Sequence, residues 1–231
     1  MKMRRKYRYL YPAQPMRVWA GADLLNEIEG NPDYVAEYKK NGVKILLVRN
    51  PNGTYEAWNR HGARAKLDLR NEIPEYGTTY IKELDKLNWE GLCCIYLEHL
   101  DRRTTDVKKR LWLFDVQVWN NEVLTDCTFK ERLKFLHFLT LPIGTRFDWF
   151  DVGHVEGGVI QQSICFNMKK HKVMDLYNKA VATHMTEGLV FKKLSGKLEV
   201  GANDNFKSSF DLKLKKVEDH FKTPHLDKYR R

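Results

Sequence analysis

An α+β domain, with short strands gathered into antiparallel sheets and helices on their flanks, is the fold class this sequence predicts. Three observations carry the prediction. Hydrophobic residues make up 42% and aromatic residues 12% of the 231, enough apolar side chain for a sizeable core and too much for a disordered chain. Short β-branched or aromatic runs recur between Pro, Asn and Gly turns. Helical patterns interrupt them irregularly, without the regular alternation of strand and helix that a parallel sheet requires.

Taken in order, Asp23 to Glu29 has helical spacing. Val43-Lys44-Ile45-Leu46-Leu47-Val48 is predicted as a strand, Asn50-Pro51-Asn52-Gly53 as a turn, and Thr54-Tyr55-Glu56-Ala57-Trp58 as the returning strand. A helix over Thr79 to Leu87 precedes strands over Leu92 to Leu97 and Leu111 to Trp119. The next helix, Thr128 to Leu139, puts Phe129, Leu133 and Leu136 on one face. A helix over Met168 to Ala182 and strands over Gly188 to Phe191 and Leu212 to Val217 complete the chain. No internal repeat, low-complexity tract or long linker divides it, so residues 1–231 are expected to form one domain.

Lys and Arg number 40 against 30 Asp and Glu, a net charge of +10 that favours an anionic partner, nucleic acid or nucleotide. Cys93, Cys94, Cys127 and Cys165 form no C-x-x-C pair, which argues against a disulfide framework and a zinc knuckle. The basic start leads into Tyr9-Leu10-Tyr11-Pro12 and not into an apolar run, and no stretch reaches the ~18 apolar residues that span a bilayer. The expectation is a soluble, intracellular (cytoplasmic) monomer without membrane contact.

The most informative segment is Glu37-Tyr38-Lys39-Lys40-Asn41-Gly42-Val43-Lys44, a lysine followed by x-Asn-Gly and then by a strand. Alone it also describes a turn on a basic surface. Downstream come Arg60-His61-Gly62, Glu98 at the end of an apolar strand, Phe114-Asp115, Glu187-Gly188-Leu189-Val190-Phe191-Lys192 and Lys213-Leu214-Lys215. In this order they resemble the K-x-D/N-G, R-x-G, E-G-x-V-x-K and K-x-K signatures of the ATP-dependent DNA and RNA ligase family, with mRNA-capping guanylyltransferases as relatives. Read singly, Phe114 also suits a core, Lys213 and Lys215 a solvated strand face, and Glu98 and Glu187 exposed strand ends.

The chemistry asks for such residues. A lysine has an ordinary pKa of about 10.4 and must lose its proton to attack phosphorus, which neighbouring cations and partial burial favour. Lys40, Lys44, Lys213 and Lys215 supply positive charge for that purpose and for the phosphates; carboxylates hold a hard divalent metal.

The resemblance implies a nucleotidyltransferase fold (the ATP-grasp-like adenylation fold of DNA ligases), with ATP and Mg²⁺ or Mn²⁺ as cofactors and nucleic acid with a nick or joinable ends as partner. It implies Lys39 as the nucleophile forming a lysyl-AMP, and Glu37 on the base edge. Arg60 and Glu98 would face the ribose, and Phe114 would stack on the purine. Lys213 and Lys215 would hold the α-phosphate, with Lys44 where relatives carry Arg; Glu187, with Glu98, would serve the metal. Asn41 departs from the commoner Asp, and His99 follows Glu98 in place of a small or apolar residue. The stretch from Lys216 to Arg231 is too short for the OB-fold that DNA ligases append, so the expectation is a bare nucleotidyltransferase domain with an accessory protein or the chain's own basic ends as substitute. Arg4, Arg5, Lys6 and Arg8, with Lys2, are the expected nucleic-acid contacts, a solvated charge run being the alternative. DNA is slightly favoured over RNA as substrate. An RNA ligase, a capping-type guanylyltransferase and a catalytically silent nucleic-acid-binding module are the alternatives.

Overall fold

The computed structural model describes residues 9–18, 21–101, 103–104, 108–140, 158–183, 185–201 and 205–215. The chain opens with β1 (Tyr11–Pro12), β2 (Gln14–Val18), α1 (Ala22–Ile28), β3 (Tyr34–Lys40), β4 (Val43–Arg49) and β5 (Tyr55–Asn59). Two small strands, β6 (Glu72–Ile73) and β7 (Thr78–Thr79), lead into α2 (Tyr80–Leu84), followed by β8 (Cys93–Leu100), β9 (Arg110–Trp119), β10 (Glu122–Val123) and α3 (Phe129–Thr140). The last part holds β11 (Ile160–Gln162), β12 (Phe166–Asn167), α4 (Val173–Val181), β13 (Thr186–Lys193), β14 (Val200–Gly201) and β15 (Lys207–Lys215).

Two sheets carry the fold. The first runs β10-β9-β8-β4-β5 with β11 beside β9, and the second runs β12-β3-β13-β15-β2. Successive side chains of a strand point to opposite faces, and β4 buries both: Ile45 and Leu47 join the core under α2 and α3, whereas Leu46 and Val48 join a smaller cluster with Tyr96 and Leu198 on the other face. A strand buried on both sides reads as an unbroken apolar run, which is how β4 reads. The second sheet packs Ala36, Leu189, Phe191, Leu212 and Leu214 against α1 and α4, through Leu24, Ile28, Val173, Leu176 and Ala180.

Local chemistry sets the helix ends. Thr128 and Glu131 form a capping box, the Glu131 carboxylate accepting from the Thr128 N–H at 2.7 Å and the Thr128 hydroxyl accepting from the Glu131 N–H at 3.3 Å. Thr79 caps α2 by accepting from the Lys82 N–H. The predicted helix over Met168 to Ala182 begins only at Val173, because Asn167 folds the preceding residues into a turn, its side chain accepting from the Lys169 N–H at 2.9 Å.

The structure corrects the sequence reading in three further places. β3 is a central strand of the second sheet, whereas no strand was predicted before Val43. Two pairings, β11 with β9 and β15 with β2, are parallel within otherwise antiparallel sheets. The final strand starts at Lys207, well before the predicted Leu212. Among the described residues no helix is long and apolar enough to cross a membrane, and the four cysteines are free thiols.

Candidate active site

The chain passes from the second sheet to the first at Asn41-Gly42, the two residues between β3 and β4. Gly42 is required there by crowding: a Cβ would lie 2.9 Å from the His99 carbonyl oxygen and 3.0 Å from Glu98 Oε2. This corner brings Lys39 and Lys40 from one sheet and Lys44 from the other to the same cleft, a cavity of about 580 Å³.

Opposite Lys39, β13 carries a bulge. Thr186 pairs with Lys40 and Gly188 with Lys39, which leaves Glu187 as the extra residue. Gly188 has φ 134° and its Cβ position lies 2.0 Å from the Leu214 carbonyl oxygen, so only glycine fits. Thrown into the cleft by the bulge, Glu187 Oε2 lies 2.7 Å from Lys39 Nζ and 2.9 Å from Lys215 Nζ. Burial alone would raise the Glu187 carboxyl; hydrogen bonds and charge from Lys39 and Lys215 outweigh it and hold the pKa below its ordinary value. Lys213, also on β15, is lowered by burial and by the neighbouring Lys207, Lys39, Lys215 and Arg17.

The first sheet supplies the facing wall. Lys44 pairs across the strands with Glu98, and its ammonium lies 4.9 Å from the Tyr96 ring centre and 5.6 Å from that of Phe114. The two rings stack at 6.2 Å with an 18° tilt. Burial brings Lys44 down to about 8, against the pull of Glu98 and Asp115. Glu98 moves the opposite way, to about 7, because burial outweighs Lys39 and Lys44. Its Oε2 is buried without a hydrogen-bond partner among the described residues. Lys40 takes a different position from Lys39, with its ammonium 3.9 Å over the Trp112 ring; burial and Arg110 lower it to about 8.

Below this lies a floor of paired charges. Arg132 from α3 holds Asp115 with two hydrogen bonds, 2.8 and 3.1 Å. Lys192 reaches Glu37 at 3.0 Å and the Phe114 carbonyl at 2.8 Å, and the Cys165 thiol donates to the other Glu37 oxygen at 3.3 Å. Burial alone would lower the Lys192 ammonium; Glu37 and Asp115 outweigh it and raise it.

Glu37, Lys39, Lys44, Arg60, Glu98, Phe114, Glu187, Lys213 and Lys215 all line this one cavity. Arg60 sits at its exposed rim, donating from Nε to His61 at 3.0 Å. Glu37 is almost enclosed, the residue being 3% exposed, and its two carboxylate oxygens accept from Lys192 and from the Cys165 thiol, each keeping a further lone pair. Arg4, Arg5, Lys6 and Arg8, with Lys2, lie outside the described residues. Sequence reasoning missed Arg132, Trp112, Tyr96 and Ser163, which share the cavity; it read Lys192 only as part of the positive charge near the active face offered to nucleic acid, whereas the structure pairs it with Glu37 on the floor.

A divalent metal suits the donors present. Among the described residues no group of three or more His, Cys, Asp or Glu side chains is arranged to hold one. Mg²⁺ however commonly takes one or two carboxylates together with the phosphates of its substrate, and the unpartnered Glu98 oxygen beside the Glu187 carboxylate fits that use.

No family model matches the sequence, and no curated protein matches it. Solved structures do. The fold is similar to the ligase domain of M. tuberculosis LigD, with a TM-score of 0.53 at 14% identity over 88% of this chain and 60% of that one. It is similar to mycobacterial DNA ligase D complexed with ATP and MES, with a TM-score of 0.52 at 14% identity over 88% and 60%. A structure from the Lig E DNA ligases, described as binding DNA with a minimal scaffold, aligns at a TM-score of 0.50 and 14% identity over 89% of this chain and 70% of that one. The chain thus has the fold of a ligase nucleotidyltransferase domain and spans 60% of the length of the mycobacterial chains.

Proposed function

We propose that this chain is the catalytic domain of an ATP-dependent polynucleotide ligase that joins 5′-phosphate and 3′-hydroxyl ends through a lysyl-AMP on Lys39. The observation that carries the proposal is the meeting of Lys39 and Lys215 on one Glu187 oxygen, 2.7 and 2.9 Å away, at the mouth of a cleft with surplus positive charge. The ATP complex of a protein with the same fold supports ATP as the nucleotide, and the DNA ligases of this fold favour DNA over RNA.

In the first step Lys39 Nζ, freed of a proton, forms a bond to the α-phosphorus of ATP while the bond from that phosphorus to the pyrophosphate oxygen breaks. Lys213 and Lys215 hold the α-phosphate, and Lys44 adds positive charge where negative charge collects. Phe114 offers a flat face to the purine. Mg²⁺ or Mn²⁺, when bound at Glu187 and Glu98, supplies further neutralisation of the phosphates. A 5′-phosphate oxygen then takes the AMP with cleavage of the P–N bond, and a 3′-hydroxyl displaces AMP to seal the strand. Arg4, Arg5, Lys6 and Arg8 serve as phosphate contacts to the nucleic acid.

Incubation with ATP and Mg²⁺ should add the mass of one AMP. The adduct should vanish in Lys39→Ala and persist in Lys40→Ala, whose ammonium faces Trp112. An adduct that survives Lys39→Ala removes the nucleophile, and a GTP-only adduct makes the chain a guanylyltransferase. Should a folded protein take up no nucleotide, the chain is a silent nucleic-acid-binding module. Sealing of nicked duplex DNA against nicked RNA then decides the substrate.

A further inference from the structure

Ser163 lies between β11 and β12, in the three residues that cross from the first sheet to the second. The crossing is pinned at both ends: the Ser163 N–H donates to the Leu113 carbonyl at 2.7 Å, and Phe166 pairs with Ala36. The side chain is 1% exposed and lines the cleft, yet its hydroxyl has no hydrogen-bond partner among the described residues. A buried hydroxyl in that condition carries an uncompensated desolvation cost, so its retention calls for a partner that arrives from outside.

The surroundings say what that partner is. Phe114 from β9 and Val190 from β13 enter the same cleft from the two sheets, one aromatic and one aliphatic. One aromatic and one aliphatic side chain suit the two faces of a flat ring. Glu37 lines the same cleft, and Cys165, two residues beyond Ser163, donates to Glu37. A hydroxyl that can donate beside a carboxylate that accepts is the complement of an amine flanked by a ring nitrogen, which adenine presents on either side of its exocyclic amino group.

We propose that Ser163 is a specificity-determining residue for the nucleotide: its hydroxyl donates to a ring nitrogen of the adenine, N1 or N7, while Glu37 accepts from the adjacent amine. This rests on the nucleotidyltransferase function proposed above and adds a residue to it.

The test measures binding of ATP, 1-deaza-ATP and 7-deaza-ATP to the full chain by calorimetry, with metal left out so that no chemistry follows. Wild type should bind ATP about tenfold more tightly than Ser163→Ala does, the scale of one hydrogen bond. It should also lose about tenfold with one deaza analogue, whereas Ser163→Ala should not distinguish that analogue from ATP. Without nucleotide the variant should melt no lower than wild type, because the group removed has no partner. Equal ATP affinity in the two proteins overturns the assignment, as does a loss of affinity in Ser163→Ala that is the same for all three nucleotides. Wild-type indifference to both deaza analogues overturns it without need of the variant. A wild type that binds ATP and forms the Lys39 adduct but shows these failures leaves the ligase function standing; one that takes no ATP overturns both.

Discussion

The two ends of the cleft treat charge in opposite ways. On the floor, Asp115 and Arg132 meet in two hydrogen bonds with both side chains under a tenth exposed, and Glu37 and Lys192 are equally enclosed. At the mouth, Lys39 and Lys215 share one carboxylate, while Lys44 rests on aromatic faces and Lys213 stands among other cations. Buried charges are tolerated when paired, because each partner replaces the water the other lost. A surplus of half-buried cations is a different arrangement. It costs the empty fold some repulsion and is relieved by a polyanion entering the cleft. The floor is therefore built as a frame, and the mouth as a receptor for negative charge.

The largest effect expected from breaking this contrast is on the floor. Arg132→Met leaves Asp115 charged and enclosed without its partner, and should lower the unfolding free energy by about 3–5 kcal/mol. Adding Asp115→Leu should return much of the loss, since two apolar side chains of similar bulk need no pairing. Urea unfolding reads both, and an Arg132→Met protein that unfolds at the wild-type midpoint would show that the floor is not a frame.

At the mouth the same kind of truncation should spare stability and remove chemistry. Lys215→Ala takes away one cation of a crowded set, so the melting temperature should not fall. Formation of the Lys39 adduct should slow by ~10²–10³, the scale of losing one preorganised charge at a reacting phosphate. Single-turnover adduct formation followed by mass spectrometry decides it. Wild-type rates would take Lys215 out of the site, and a large loss of stability would make the mouth part of the frame.

The contrast also explains what the sequence could reveal. Lys39, Glu187 and Lys215 were legible because the signature order names them, and the strands bearing Ile45, Ile95 and Leu113 were legible because their apolar runs are local. β3 was hidden for a physical reason: its cleft-facing positions are filled by Glu37 and Lys39, so a central strand reads as a polar stretch. Arg132 did leave a signal, standing three residues after Phe129 and next to Leu133 on the helix face that reads as core. Ser163 left none, because a short polar residue outside any periodic run looks the same at a surface as at the bottom of a cleft. The parallel pairings of β11 and β15 depend on partners far away in sequence, and no local pattern records them.

The smallest expected effect concerns a leftover acid on the floor. Lys192 lies among Glu37, Asp115 and Asp211, and Asp211 is its cross-strand partner on β15. The floor is thus slightly oversupplied with carboxylates, as the mouth is with ammonium groups. Burial pushes half-buried Asp211 up to about 6, with Lys192 pulling the other way and Asp115 adding to the rise. Between its ordinary value near 3.8 and about 6 the folded chain keeps a proton at Asp211 that the unfolded chain has released. Stability from this group is therefore fully present at the acid end of that window and is lost as pH rises through about 6. Asp211→Asn imitates the protonated form at every pH. It should match wild type near pH 4 and become the more stable of the two above about 6, by less than the Arg132→Met effect. Urea unfolding at intervals across that range gives the difference curve. A constant difference between the two proteins would mean that Asp211 is fully balanced by Lys192, and that surplus charge belongs to the mouth alone.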